Sequence, residues 1–156
     1  MAIAYANIAE VFIHKFLLHT LGKNKGSYWS FHFHDHHKRV TKSRGLDTTY
    51  ENGDFYGKEI FVGMVLILSH APLFYVSPIF VLALYVYMLL YYWAHTKSHM
   101  SVEWAKRWLP WHYDHHLGSE EANWGVLLPF ADWIFGTRVR YYRTAKYYRD
   151  ELKKRN

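Results

Sequence analysis

Apolar residues gather along this chain in blocks, and polar or histidine-bearing stretches divide them. From Met1 to about Thr20, Ile3, Ile8, Val11, Phe12, Phe16, Leu17 and Leu18 supply an apolar side, interrupted by Glu10, His14 and His19. This pattern predicts a helix. It is expected to be membrane-embedded or interfacial, since a full crossing takes about 20 apolar residues. Leu21 to Ser27, with Gly22 and Gly26 among lysines, predicts a turn. A second helix is expected from Ser27 or Ser30, where a hydroxyl can cap free amides, through His37 into Lys38 and Arg39. Gly45 to Gly57, with Asp47, Glu51 and Asp54, reads as a polar loop.

The next block is the longest. Ile60 to Ala94 holds no Asp, Glu, Lys or Arg, which is too long for one membrane span and slightly short for two. Pro72 and Pro78 break it, because proline removes an amide donor and clashes with the preceding turn. The pattern predicts a helical hairpin over about residues 56–95: Tyr56 to His70, a turn, then Ser77 into His95. Tyr85, Tyr87, Tyr91, Tyr92 and Trp93 form an aromatic band suited to a lipid interface. Met100 to Pro110 predicts a short amphipathic helix or a turn, with Trp104, Trp108 and Trp111 at headgroup level. Val126 to Phe135 is expected to line or lid a site. The basic, tyrosine-rich tail 138–156 is expected either to lie on anionic lipid or to be a solvated helix. The fold class is all-α: one domain over 1–156, a membrane helical bundle with a transmembrane hairpin.

Charge sharpens this picture. The net charge is +6 and 20% of residues are aromatic. A basic aromatic chain can stack nucleic-acid bases, but here the positive charge flanks an uncharged apolar block, which a membrane explains better. No nucleic-acid partner is expected. The flanking lysines and arginines mark the cytoplasmic face by the positive-inside rule. There is no Cys, so no disulfide and no thiolate ligand. No cleavable signal peptide is evident.

The chemistry lies in the histidines. Of twelve, only His70 stands outside four groups: His14 with His19, the run His32-Phe33-His34-Asp35-His36-His37, His95 with His99, and His112-Tyr113-Asp114-His115-His116. Residues four apart on an α-helix lie about 40° from each other, so His32/His36, His95/His99 and His112/His116 can each reach one ion. Adjacent histidines point about 100° apart, so each His-His pair can bridge two ions. Two metals are the economical reading. His14 and His19, five apart, need a helix end or a local distortion to converge. Imidazole sites suit zinc, copper, iron or nickel.

The spacing of the four groups resembles the histidine boxes of the fatty acid hydroxylase/sterol desaturase superfamily of membrane di-iron oxygenases. Asn123-Trp124-Gly125 through Asp132-Trp133-Ile134-Phe135-Gly136-Thr137 is similar to the segment after that family's last box. The resemblance runs from about His14 to Thr137. It implies two iron ions, with zinc able to occupy the same ligands, in a cytosolic histidine-rich cap. It also implies O2 as co-substrate and hydroxylation or desaturation of a fatty acyl or sterol-like lipid. A cytochrome b5-like or ferredoxin-like donor is implied, because the chain has neither a nucleotide-binding glycine fingerprint nor Cys for an iron–sulfur cluster.

The expected ligands are His14, His19, His32, His36, His37, His95, His99, His112, His115 and His116, with His34 the alternative to His32. Asp35, Asp114 and Asn123 are candidates to orient ligand rings. His70 marks a headgroup contact, a proton path, or an ordinary hydrogen-bonded histidine. Other readings are carotenoid ring hydroxylation and a non-catalytic membrane metal-binding protein. So small a membrane domain is a candidate homo-oligomer.

Overall fold

The structure is a computed structural model that describes residues 1–51 and 57–153. Asp54 and Tyr56 of the expected loop and hairpin, and the last three residues of the tail, lie outside that range. Every regular element among the described residues is helical.

The first predicted helix forms, but it changes character midway. Helix α1 covers Ala2–Phe12 and continues directly into a π-helix, π1, over Ile13–Leu21. A second π-helix, π2, spans Phe31–His37 and runs into α2, Lys38–Lys42. Ser30 precedes π2 without capping it through its side chain. The expected hydroxyl contact is made one turn earlier, where Ser27 Oγ accepts from the Trp29 amide at 3.2 Å. The polar loop contains one short helix, α3, at Thr48–Glu51.

The apolar block becomes α4 (Gly57–His70), a 3-10 turn (Ala71–Tyr75) and α5 (Pro78–Met100). The two prolines stand where α4 gives way to the turn and where α5 begins, each in a first-turn position that needs no amide donor. Gly57–Tyr75 and Pro78–Met100 are each long and apolar enough to cross a membrane. They touch, and the Tyr85 hydroxyl donates to the Ile67 carbonyl at 2.8 Å.

Helix α6 (Val102–Trp108) begins where Ser101 Oγ accepts from the Trp104 amide, and α7 (Pro110–Leu117) carries the last histidines. Two short helices follow, α8 (Phe130–Ile134) and α9 (Ala145–Lys153). The bundle centres on α5, which packs against α1, α3 and α6. Helices π1 and π2 lie against each other, and α7 closes over α2 and α6. The best-buried interior of this bundle is made of imidazoles: ten of the twelve histidines are at most 4% exposed.

Candidate metal centre

The local backbone decides which histidines share a site. In a π-helix the hydrogen bond runs from residue i to i+5, so side chains five apart come back to one face. That is the distortion His14 and His19 require, and π1 supplies it. The same geometry corrects the expected pairing in the second box. His32 and His36, four apart, go to different groups, whereas His32 and His37, five apart on π2, go to the same one. On the α-helices α5 and α7 the four-residue rule holds for His95/His99 and His112/His116.

One group gathers His14, His19, His32 and His37, the other His36, His95, His99 and His116, with ligand atoms in each within 4.8 Å of one another. His115 joins the first, its Nε2 lying 3.1 Å from His19 Nε2 and 3.2 Å from His37 Nε2. His112 joins the second, with Nε2 2.9 Å from His99 Nε2. Each adjacent pair, His36-His37 and His115-His116, therefore sends one ring to each group. The groups adjoin: the His37 and His116 ring centres are 4.2 Å apart.

Neighbouring acceptors fix the tautomers. His14 Nδ1 donates to the Trp124 carbonyl (2.6 Å), His115 Nδ1 to Ala122 (2.7 Å) and His99 Nδ1 to Gly45 (3.1 Å). His36 Nδ1 donates to Asp47 Oδ2 at 2.9 Å, and His37 Nδ1 to Glu120 Oε1 at 3.3 Å. Carbonyl oxygens cannot donate, and an ionised carboxylate only accepts, so these Nδ1 atoms carry the proton and each Nε2 presents a lone pair. His37 and His115 thus aim lone pairs at each other across 3.2 Å, a repulsive contact that a cation between them would reverse. His95 Nε2 and both ring nitrogens of His116 are buried and have no hydrogen-bond partner among the described residues. Burial pushes His14 down to about 4, against the pull of its Trp124 bond. Burial, with neighbouring imidazoles, lowers His19, His32, His37, His112, His115 and His116 as well. Neutral imidazole is the form that binds a metal. Donor set, tautomers and orphaned nitrogens all fit two adjacent cations.

The remaining expected residues divide. His32 is buried in the first group, while His34 is half-buried outside both, its Nε2 donating to the Lys23 carbonyl at 3.0 Å. Asp35 is exposed. Asp114 is buried but holds the Tyr142 amide (2.7 Å) and Arg138 (2.9 Å), tying the C-terminal segment to α7 rather than orienting a ring. Asn123, at φ +61°, accepts from the Val139 amide and Arg138 through Oδ1. It acts on the site through its chain neighbours, whose carbonyls receive His14 and His115. His70 lies away from the cluster. Its Nδ1 donates to the Leu66 carbonyl (2.8 Å) and its Nε2 accepts from the Tyr5 hydroxyl (3.0 Å).

Sequence reasoning missed Asp47, Glu120 and the three carbonyls, since nothing in their local pattern marks them. It also missed what the Asn123–Thr137 segment does. Buried Asp132 accepts from the Trp124 amide (2.9 Å), the Gly125 amide (2.7 Å) and the Thr137 hydroxyl (2.6 Å), and the Asn123 amide donates to the Thr137 carbonyl (3.0 Å). Gly125 cannot take a side chain, because a Cβ would come within 2.2 Å of the Leu128 carbonyl. The segment is a knot behind His14 and His115. Trp124 at its start faces the rings, 4.9 Å from His19 and 5.5 Å from His115.

Comparisons with curated proteins and with solved structures give no match. The sequence model of the fatty acid hydroxylase family matches residues 1–137, a span that takes in all four histidine groups and the knot behind them, and the chain belongs to that family.

Proposed function

We propose that this chain is an integral-membrane di-iron oxygenase that uses O2 to hydroxylate or desaturate a lipid chain, its histidine cap on the cytoplasmic face and Gly57–Tyr75 with Pro78–Met100 crossing the bilayer as a hairpin. The observation that carries the reading is the division of ten buried imidazoles into two adjoining groups of five. A closed structural zinc site uses four ligands, so each group exceeds that need. The nitrogen spacings of 2.9–3.2 Å also favour a higher coordination number. Ligands about 2.1 Å from an ion lie about 3.0 Å apart at right angles and about 3.4 Å apart at the tetrahedral angle.

Bound iron would supply O2 activation for attack on an unactivated C–H bond. The residues of the chain supply placement. His14, His19, His32, His37 and His115 would hold one ion; His36, His95, His99, His112 and His116 would hold the other. The Nδ1–H bonds of His14, His36, His37, His99 and His115 fix those five rings before an ion arrives, which lowers the reorganisation that binding costs. Burial of the cluster keeps water from the reacting centre. Exposed Leu68, Ile79, Leu82, Val86, Leu89 and Trp93 on α4 and α5 favour a lipid surround over water. Electrons come from a cytochrome b5-like or ferredoxin-like partner on the basic cytosolic face.

The test is lipid mass spectrometry after expression with iron and a reductase–donor pair, against fatty acyl, sterol and carotenoid substrates. New oxygenated or unsaturated product that disappears in His36→Ala and His115→Ala is expected. Stoichiometric metal with no change in any of these lipids would refute the oxygenase and leave a metal-binding scaffold.

A further inference from the structure

Buried imidazoles hold cations only if cations reach them, and the groups that steady the rings differ in their access to solvent. Trp124, Ala122, Gly45 and Asp47, which receive the Nδ1–H bonds of His14, His115, His99 and His36, are all buried. Glu120 differs. Its Oε1 receives the His37 Nδ1–H at 3.3 Å, yet its side chain is 38% exposed. Of these supports it alone meets both a ligand ring and the solvent.

Side chains, not backbone, close the surface at this point. Phe33 is half-buried, stacks on His37 with ring centres 6.0 Å apart, and meets His19 edge-on at 5.5 Å. The His19 ring under it is 1% exposed, and its Nδ1 has no hydrogen-bond partner among the described residues. Lys23, in the turn between π1 and π2, holds its ammonium 5.7 Å from the Phe33 ring and pairs with Glu121, the neighbour of Glu120. Both partners of that pair are well exposed, and exposed pairs are weak, so this cover opens readily. The second group has no such edge. His36, His95, His99 and His112 are at most 2% exposed, and Tyr50, itself buried, stacks on His99. Its link outward is the first group, through the His37 and His116 rings 4.2 Å apart. The cavity between α1, α4 and α5 also reaches His14, but its wall is mostly apolar, where an unpaired charge is costly.

We infer that Glu120 is the doorway ligand of the metal centre. A divalent cation from solvent binds first to its carboxylate, displaces Lys23 from the neighbouring Glu121, passes beside Phe33 to the group of His37, and reaches the second group across His37 and His116. The inference rests on the reading of the cluster as a two-cation site and not on lipid oxygenation. The chemistry of the donors gives the traffic its direction: iron and zinc are better served by imidazole nitrogen than by a single carboxylate in water, so Glu120 collects the ion and the buried rings keep it.

Metal exchange tests this without turnover. The full-length protein, loaded with zinc in nanodiscs, is mixed with excess isotopically enriched zinc, and the bound isotope ratio is followed by mass spectrometry. In Glu120→Gln the amide oxygen still accepts the His37 Nδ1–H, so the ring stays fixed and only the charge is lost. When affinity is unchanged, a poorer doorway slows release as much as entry, so exchange reports on it. Both ions should exchange about tenfold more slowly in Glu120→Gln, the low end of what a placed charge adds to an association rate, with metal content and unfolding temperature unchanged. Lys23→Gln should exchange faster than wild type, since no ammonium competes for the carboxylates. Phe33→Ala should exchange about three- to tenfold faster, the factor that one aromatic pair supplies. Glu103→Gln, which removes an exposed carboxylate on α6, should match wild type. Wild-type rates in Glu120→Gln, slowing of one ion only, loss of metal from that variant, equal slowing in Glu103→Gln, or slower exchange in Lys23→Gln or Phe33→Ala would each overturn the doorway. So would a wild-type protein that exchanges neither ion. Wild-type protein that takes up no zinc would refute the two-cation reading instead.

Discussion

On the di-metal reading proposed above, removing the Asp47 carboxylate should loosen one ion and leave the other. Asp47 is fully buried, and its Oδ2 receives the His36 Nδ1–H at 2.9 Å. Its backbone amide donates to the His99 carbonyl at 3.0 Å, and Gly45, two residues earlier, receives His99 Nδ1. This loop thus steadies two rings of the group formed by His36, His95, His99, His112 and His116. In Asp47→Ala a buried ring N–H loses that acceptor, at about 1–3 kcal/mol. Loss of a ligand's hydrogen-bonded support typically weakens metal binding about ten- to a hundredfold, the same range in free energy. The other group keeps its own supports, at Trp124, Ala122 and Glu120. The assay is metal-to-protein ratio along a chelator titration. One ion should leave at about ten- to a hundredfold lower chelator than in wild type, and the second at the wild-type point. Parallel loss of both ions, or an unshifted curve, would refute the assignment of Asp47 to one group.

The other predictions concern the ligands, the knot and pH. His115→Ala and His116→Ala should each retain about one ion per chain, because the two rings belong to different groups; metal analysis that finds both ions lost in either variant would count against separate groups. Asp132→Ala removes three hydrogen bonds from the loop behind His14 and His115, so thermal unfolding should show a loss of about 3 kcal/mol. Arg138→Ala leaves buried Asp114 without its ion pair, and destabilisation of about 3 kcal/mol is expected in the same assay. Acid should destabilise the metal-free protein. Burial holds folded His14 near 4, whereas an unfolded histidine titrates near 6.5, so between these values the unfolded chain binds more protons. The stability is therefore complete above about pH 6.5 and lost as pH falls toward 4. A flat melting profile over that window would contradict the buried, neutral cluster.

Much of the fold could be read from residue pattern. An uncharged run broken by two prolines becomes two long apolar helices, because charge density and proline chemistry act locally and need no knowledge of neighbours. The last box keeps its four-residue spacing on one α-helix for the same reason. What failed was the assumption of a single helical period. His32 shares a group with His37, five residues on, which the slower turn of π2 allows and an α-helix would not, and its sequence does not announce the change. Asp35 and Asp114 occupied matching places in two boxes, yet one is solvated and the other clamps the C-terminal segment.

The sequence by itself determined where the histidines cluster along the chain and the helical elements that carry them, because residue type and apolar periodicity are properties of short stretches. Only the tertiary structure decided which imidazoles meet, which nitrogen each presents, and that Asp47, Glu120 and three backbone carbonyls hold them. Those choices depend on oxygens that lie far along the chain from the rings they steady, as Trp124 does from His14. Close packing alone brings such partners within hydrogen-bonding reach.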